Sequence, residues 1–549
     1  MYFAEKINTR YNINGEKWKE GETMIDSSLY APTKYNIVDE IEKFSQDEKR
    51  NALIIVDENQ HVKYITYKQL LNLANRYANV FADKGFKKGN IILIMLPKSL
   101  EVYAVYIAAL KMGLQIIPCS DQLRAKDIDY RIQHAKAKGL IYHANYIQEV
   151  SQLNSLNEIK LFVIDSANQT ETNLNWLAEK AKESYETVDT SASDIAFIAY
   201  TSGTTGTPKG AIHPHSWGYV HLKTVVKDWL NISERDLVWA TAAPGWQKWI
   251  WSPFLATLGS GATALVYEGK FHAETYLKLI ASFSVNVLCC TPTEYRMMIK
   301  SEDFVHTKLT TLRSAVSAGE PLNREVIERF NHVHHVLVRD GYGQTENTLL
   351  VGTMRHMEAR PGSMGKPTPG NIVEIIDYLG EPVPIGQVGD IAVHIESPAL
   401  FKGYYNEPER TAMQFRGDWY ITGDRARKDE DGYFWFEGRA DDMIISAGYT
   451  IGPFDIEDAL LKHPLVQECA VVASPDEIRG SVVKAFVVLK DFEDTKREGI
   501  IEELQNHVKA VMAPYCYPRE IEFLEELPKT MSGKIRRVEL RRRAQNKMV

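Results

Sequence analysis

Cysteine is scarce. The 549 residues hold five, Cys119, Cys289, Cys290, Cys469 and Cys516, none in a CxxC pair and most in apolar runs such as VNVLCCTP. An odd count in that setting excludes a disulfide scaffold and reads as the reduced core cysteines of a cytoplasmic protein. Long hydrophobic runs are missing too: none reaches about 18 residues, so no transmembrane helix is expected. The start, MYFAEKINTRYN, lacks the basic-then-apolar pattern of a secretory leader. Positive charge is not in excess. With 64 basic and 72 acidic residues the net charge is −8, which argues against nucleic acid as a partner. Internal repeats and low-complexity segments are absent.

What is present is ordinary for a globular chain, 44% hydrophobic and 25% charged. The length suits about three or four domain-sized units, or one large unit with a small appendage. Short apolar runs alternate with helix-period segments. IILIML (Ile91 to Leu96) reads as a buried strand. Before it, Leu70, Leu71, Ala74, Tyr77, Ala78 and Phe81 recur at helical spacing, and Gly85 stops that helix. LFVID, IAFIAY, LVWAT, ATALVY, VNVLCC, RSAVSAG and VLVRDGYG continue the alternation, which argues for wound α/β sheets that are at least partly parallel. From about 370 to 437 the strands are short and turn signals dense, as in a β-rich subdomain. A smaller α+β unit follows, with QECAVVA and VVKAFVVL as strands and Phe454 to Leu461 and Gly499 to Met512 as helices. The boundary falls near Ala440 and Asp441, with too little chain for a flexible tether, so a tight hinge is expected.

The most informative stretch is YTSGTTGTPKG (Tyr200 to Gly210). Glycines, hydroxyls and a lysine after a strand make a concave nest of N–H donors with a cation beside it, a cradle for a polyphosphate. It is not a Walker A loop, because counting from Gly203 puts Pro208 where the second glycine belongs.

Five further motifs follow: SAGEPL (Ser317 to Leu322), DGYGQTE (Asp340 to Glu346), YITGD (Tyr420 to Asp424), GRADDMI (Gly438 to Ile444) and PKTMSGKIRR (Pro528 to Arg537). Together with the loop, in this order, they resemble the signatures of the adenylate-forming (ANL) superfamily, which comprises acyl-CoA synthetases, peptide-synthetase adenylation domains and luciferases. Medium-chain acyl-CoA synthetases are most similar, through SAGY and SPDEIRG. The resemblance implies a large N-terminal domain, residues 1–438, and a mobile C-terminal domain, residues 439–549. It implies an ATP-dependent carboxylate:CoA ligase, with a carboxylic acid, ATP, Mg²⁺ and coenzyme A as reactants and cofactors. It also implies site roles. Thr201, Ser202, Gly203, Thr204, Thr205, Gly206, Thr207, Pro208 and Lys209 would hold the phosphates. Gly319, Glu320 and Pro321 would meet the adenine side, and Asp340, Gly341, Tyr342, Gly343 and Gln344 would line the nucleotide.

DGYGQTE follows VLVR, at the carboxyl end of a strand, where open α/β sheets form ligand crevices. There Glu346 offers a hard oxygen for Mg²⁺ and Thr345 a hydroxyl for phosphate or acyl group. Asp424 and Arg439 are identified by the resemblance as the ribose pair, and Lys534 as the catalytic lysine, a cation on the α-phosphate where charge develops during attack. Without the family, Asp424 and Arg439 read as a surface ion pair and Lys534 as part of a solvated basic tail. Asp441 would be the pivot of a domain movement that serves two half-reactions. Ala447, Gly448 and Tyr449 would line a pantetheine tunnel, Arg479 would meet the phosphates of coenzyme A, and Tyr517 would either stack on its adenine or pack within its own domain.

Relatives that use acetate carry tryptophan where this chain has Gly343, so a larger acyl pocket is expected, each buried methylene being worth roughly 0.8 kcal/mol. Trp246, with Trp249 and Trp251 nearby, would be pocket wall or core. Short- to medium-chain acids, branched ones included, are the expected substrates, and benzoates fit a pocket of that size as well. Two rival activities share the same motifs: loading of a carrier protein's pantetheine arm, and nucleotide sensing without catalysis. Thr450 stands where relatives often carry arginine, and Cys516 where lysine is common. His332, His334 and His335 read as strand residues on alternate faces rather than a metal cluster, and His463 lies in a turn where relatives bind a cation. A homo-oligomer is compatible with the sequence, and the resemblance together with the SGK turn implies that Lys534 would be a target for an acyltransferase and deacylase.

Overall fold

Runs of Ile, Leu and Val build two large sheets. The computed structural model describes residues 27–167, 170–201, 207–440, 442–446, 449–476, 479–490, 497–512, 516–529 and 535–545. A nine-stranded sheet runs, in spatial order, Lys366–Pro367, Leu349–Gly352, Val338–Gly343, Ser314–Ala318, Val287–Cys290, Leu237–Ala240, Thr263–Tyr267, Asn51–Val56 and Val62–Thr66. Its middle strands are parallel and its edges antiparallel. A six-stranded sheet runs Lys160–Ile164, Gly139–His143, Ile91–Met95, Gln115–Pro118, Ile195–Thr201 and Lys209–Pro214, parallel except for the last strand. Parallel strands covered on both faces read as continuous apolar runs, which is why the sequence patterns located them.

The helices Tyr67–Asp83 and Leu100–Lys111 share one core with strands of both sheets. Tyr67–Asp83 starts on a capping box, Thr66 with Gln69. It ends where Gly85 turns at φ +83° and the Phe86 N–H reaches back to the Phe81 carbonyl. Leu100–Lys111 is buried from Val102 onward on every side. A fully buried Val, Leu or Ile contributes about 1.5–3 kcal/mol, so this helix anchors the two layers.

The β-rich subdomain is a five-stranded antiparallel sheet of Val373–Ile376, Val388–His394, Phe415–Arg416, Trp419–Lys428 and Phe434–Arg439. The smaller C-terminal domain carries a three-stranded sheet of Val466–Asp476, Gly480–Leu489 and Glu520–Phe523, with the helices Pro453–Leu461, Arg497–Val511 and Arg537–Gln545. One local expectation is overturned. His332 and His334 lie at the end of the helix Arg324–His334, with His335 as its left-handed cap, and His334 packs on Phe304 and Phe330. The polar content of NHVHH concealed the last turn of an amphipathic helix. Among the described residues no helix is long and apolar enough to cross a membrane, and all five cysteines are free and buried.

Three buried histidines follow the phosphate-loop segment. His213 donates from Nε2 to the Thr345 carbonyl at 2.6 Å, and His215 Nδ1 accepts from the Ile37 N–H at 3.2 Å. His221 donates from Nε2 to the Trp251 carbonyl at 3.0 Å and takes the Thr348 hydroxyl on Nδ1 at 2.5 Å. Burial pushes their pKa values from 6.5 down to about 4, 4 and 3. The unfolded chain therefore binds more protons below about 6.5, and stability falls as pH drops from there toward 4. Each histidine should cost about 1 kcal/mol between pH 7 and 5.5. Urea midpoints at the two pH values test this, and His221→Gln should flatten the slope. An unchanged slope overturns the assignment.

Candidate active site

The phosphate-loop segment lies between two antiparallel strands. Thr201 and Lys209 are register partners where Ile195–Thr201 returns as Lys209–Pro214. Ser202, Gly203, Thr204, Thr205 and Gly206 lie outside the described residues. At the end of the first strand the Thr201 hydroxyl is buried without a partner among the described residues. The Thr207 carbonyl accepts from Arg410 at 3.2 Å and the Pro208 carbonyl from the Tyr130 hydroxyl at 2.9 Å.

Lys209 faces Glu346, which arrives from the other large sheet just beyond Val338–Gly343. Lys209 Nζ lies 3.4 Å from Glu346 Oε1, and the Tyr404 hydroxyl sits between them. It accepts from Lys209 at 2.5 Å and donates to Glu346 Oε1 at 2.8 Å. The ammonium also lies 4.3 Å from the Tyr404 ring centroid. Burial and the Glu346 carboxylate push the Tyr404 phenol far above its usual range, so it remains a donor. Glu346 is 6% exposed. Thr345 is held by its carbonyl, through His213.

A second cluster forms around Asp424, which is buried in Trp419–Lys428. Its Oδ2 accepts from the Tyr342 hydroxyl at 2.6 Å and from Gln344 Nε2 at 2.7 Å, and Gln344 also reaches the Thr422 carbonyl at 2.9 Å. Asp424 and Arg439 are register partners on neighbouring strands, with Arg439 exposed, so these two are brought together as a carboxylate and a guanidinium at one sheet edge. Asp340 is buried at the strand interior. Burial raises its carboxyl to about 7, partly offset by the Gly341 N–H at 2.8 Å. Gly319 and Pro321 are exposed in the turn after Ser314–Ala318, and Glu320 accepts from Thr293 at 3.0 Å and Arg296 at 3.4 Å.

On the acyl side the structure changes the reading of two residues. A Cβ on Gly343 would lie 2.3 Å from the Thr348 carbonyl oxygen, because the pairing with Leu349–Gly352 slips between Tyr342 and Gly343. Here the glycine is required by backbone approach, and an indole in its place would displace the main chain before it could fill a pocket. Trp246 is 40% exposed, whereas Trp249 is core, with Tyr106, Tyr103 and Phe254 at 4.9, 5.0 and 5.4 Å. Trp251 packs between Trp217 and His221.

In the small domain, Asp441, Ala447, Gly448 and Lys534 lie outside the described residues, and of Tyr449 only the strand Tyr449–Ile451 is described. Flanking residues are pinned. Lys529 pairs with Glu468 at 2.7 Å, Arg537 reaches both oxygens of Glu457 at 2.7 Å, and Arg541 meets Asp442, next to the expected pivot. Arg479 sits at the Val466–Asp476 and Gly480–Leu489 turn, its N–H donating to Asp476 at 2.8 Å. The Tyr517 ring is flanked by Lys509 at 4.3 Å and Arg519 at 5.0 Å. Cys516 is buried, and burial raises its thiol. His463 is buried against Glu503 at 3.2 Å. Among the described residues no three His, Cys, Asp or Glu side chains gather as a metal cluster.

Sequence reasoning missed Tyr404 and His213. The aromatic pair in KGYYN was a signal for the first, but only the fold places it between a lysine and a glutamate far away in the chain.

Two wound sheets meeting at a phosphate-loop hairpin, closed by an antiparallel sheet and followed by a small domain, define a two-domain nucleotide-dependent enzyme. The AMP-binding enzyme family matches residues 42–405, and the AMP-binding enzyme C-terminal domain matches residues 455–534. The chain belongs to the AMP-binding enzyme family. It is 57% identical to the uncharacterized acyl–CoA ligase YtcI of Bacillus subtilis (strain 168), over 94% of this chain and 97% of the relative. It is 40% identical to the mitochondrial acyl-coenzyme A synthetase ACSM3 of Rattus norvegicus, over 94% and 92%. Among solved structures, an acyl-CoA synthetase of Brucella canis superposes with a TM-score of 0.73 at 33% identity, covering 95% of this chain and 97% of that one. The anthranilate CoA ligase AuaEII with anthranoyl-AMP superposes at 0.86 with 29% identity, covering 94% and 98%.

Tyr404→Phe removes the hydroxyl between Lys209 and Glu346. Mg-ATP affinity should fall about tenfold, the worth of a charge-assisted hydrogen bond, in titration calorimetry. An unchanged affinity shows that the bridge does not shape the phosphate site. Gly343→Ala should lower Tm by several degrees through the Thr348 clash, read by thermal unfolding.

Proposed function

We propose that the chain is an AMP-forming carboxylate:CoA ligase acting on short- to medium-chain acids, branched ones included. The observation that carries this reading is the Lys209–Tyr404–Glu346 bridge, which brings the phosphate loop and the QTE segment from two sheets to one point. In the first half-reaction a carboxylate oxygen attacks the α-phosphorus of ATP, a P–O bond forms, and pyrophosphate leaves. Lys209 and the loop hold the phosphates, while Asp424 and Arg439 take the ribose. Mg²⁺ bound with ATP would neutralise phosphate charge, and the Glu346 carboxylate is the hard oxygen donor suited to hold it. Lys534 is the proposed cation on the α-phosphate. In the second half-reaction the thiol sulfur of coenzyme A bonds to the acyl carbon, the thiol proton is lost and AMP leaves.

We assign the C-terminal unit from 439 onward as a body that turns about Asp441 between the two steps. Ala447, Gly448, Tyr449 and Arg479 are assigned to coenzyme A, and Tyr517 is assigned there against its packing between Lys509 and Arg519. The five buried thiols fit a cytoplasmic setting. Acylation of Lys534 would remove the catalytic charge, so an acyltransferase and deacylase are proposed regulators.

Lys534→Ala should lower acid-dependent pyrophosphate release roughly 10²-fold or more, as loss of a charge-stabilising donor does. It should spare thiolysis of supplied acyl-AMP. Pyrophosphate release at the wild-type rate overturns the assignment.

A further inference from the structure

Lys248 enters the interior beside the strand that leads to Glu346. It lies in the helical turn Gln247–Trp249, and its ammonium nitrogen is buried with no hydrogen-bond partner among the described residues. It sits 4.7 Å from the Trp229 ring centroid and 5.6 Å from that of Trp251. Two aromatic faces attract a cation but supply no acceptor, so they offset only part of the cost of taking an ammonium out of water.

The surroundings tie this ammonium to the strand end at Gly341 and Gly343, next to the QTE segment. The Trp229 ring is pressed against Gly341, where an added Cβ would lie 2.5 Å from it, and its N–H donates to the Asp340 carbonyl at 3.0 Å. The Trp251 carbonyl is tied through His221 to the Thr348 hydroxyl, and the Thr348 carbonyl is the atom against Gly343.

Further polar groups nearby have no hydrogen-bond partner among the described residues. They are the buried Trp251 indole N–H, both amide atoms of Gln247, which is 7% exposed, and both amide atoms of the fully buried Asn347, whose carbonyl takes the Trp217 N–H at 3.0 Å. Native proteins leave few such groups, and a wall built only for alkyl chains has no use for them.

We propose that Lys248 is a specificity-determining residue and that the preferred acid carries, besides its reacting carboxylate, a second oxygen acceptor on its chain that takes a hydrogen bond from the Lys248 ammonium. A second carboxylate, an oxo group or a hydroxyl meets that chemistry. The inference rests on the ligase reading above.

The experiment compares matched acids of equal chain length, an unsubstituted alkanoate, its oxo and hydroxy analogues and the corresponding dicarboxylate, in an AMP-release assay with coenzyme A. The wild-type enzyme, Lys248→Met and Lys248→Arg are tested, with thermal unfolding run on each variant. In the wild type, kcat/KM for at least one oxygenated acid should exceed that of its alkyl match by tenfold or more. In Lys248→Met the ratio should fall to within about twofold, with the loss mainly in KM, and Lys248→Arg should keep part of the preference. A wild-type enzyme that favours the alkyl acid overturns the inference whether or not the variants fold, and so does an equal loss on both acids in Lys248→Met. AMP release with alkyl acids alone leaves the ligase reading standing and sinks only this inference. Failure of every acid sinks the ligase reading with it.

Discussion

The structure depends on bringing a buried ammonium and a buried carboxylate together across two sheets. Lys209 and Glu346 are each mostly withdrawn from water, and either alone would be an uncompensated charge. Breaking such a pair costs about 3–5 kcal/mol, so each sheet constrains the other. The antiparallel return of Lys209–Pro214 sets the lysine at the hairpin base. Tyr404 is fixed by an isolated bridge to Ala211 while its hydroxyl spans the pair. His213, on the same strand, latches the Thr345 carbonyl. Lys209 and the QTE segment are thus parts of one polar network.

A second network joins the β-rich subdomain to this point. Asp424 gathers Tyr342 and Gln344 on a single oxygen, so the residues between Asp340 and Glu346 are gripped at both ends, by Asp424 and by Lys209 with Tyr404. A segment held this way is preorganised, which is what an electrostatic site requires. In the C-terminal domain, Lys529, Arg537 and Arg541 tie the chain on either side of the lysine loop to Glu468, Glu457 and Asp442.

Much of the fold was legible in the sequence. Buried parallel strands show as unbroken runs of Val, Ile and Leu, and every such run became a strand within a residue or two. NHVHH was misread because a polar end of an amphipathic helix carries the same letters as an exposed strand. The site motifs were legible through their order, but their geometry was not. Gly343 shows the difference: from sequence it is the absence of a side chain, whereas in the fold it is a close approach of two main chains. The tryptophans around Trp249 could be read as wall or core, and packing divided them.

The sequence by itself determined the layered α/β class and the identity of the groups that carry charge, because periodicity and residue chemistry are local properties. Tertiary structure alone decided which of those groups meet. Tyr404 lies between Lys209 and Glu346, and Lys248 lies between Trp229 and Trp251, because side chains far apart in the chain share one interior. In that interior the cost of an unanswered charge depends on its neighbours in space, and chain order does not specify them.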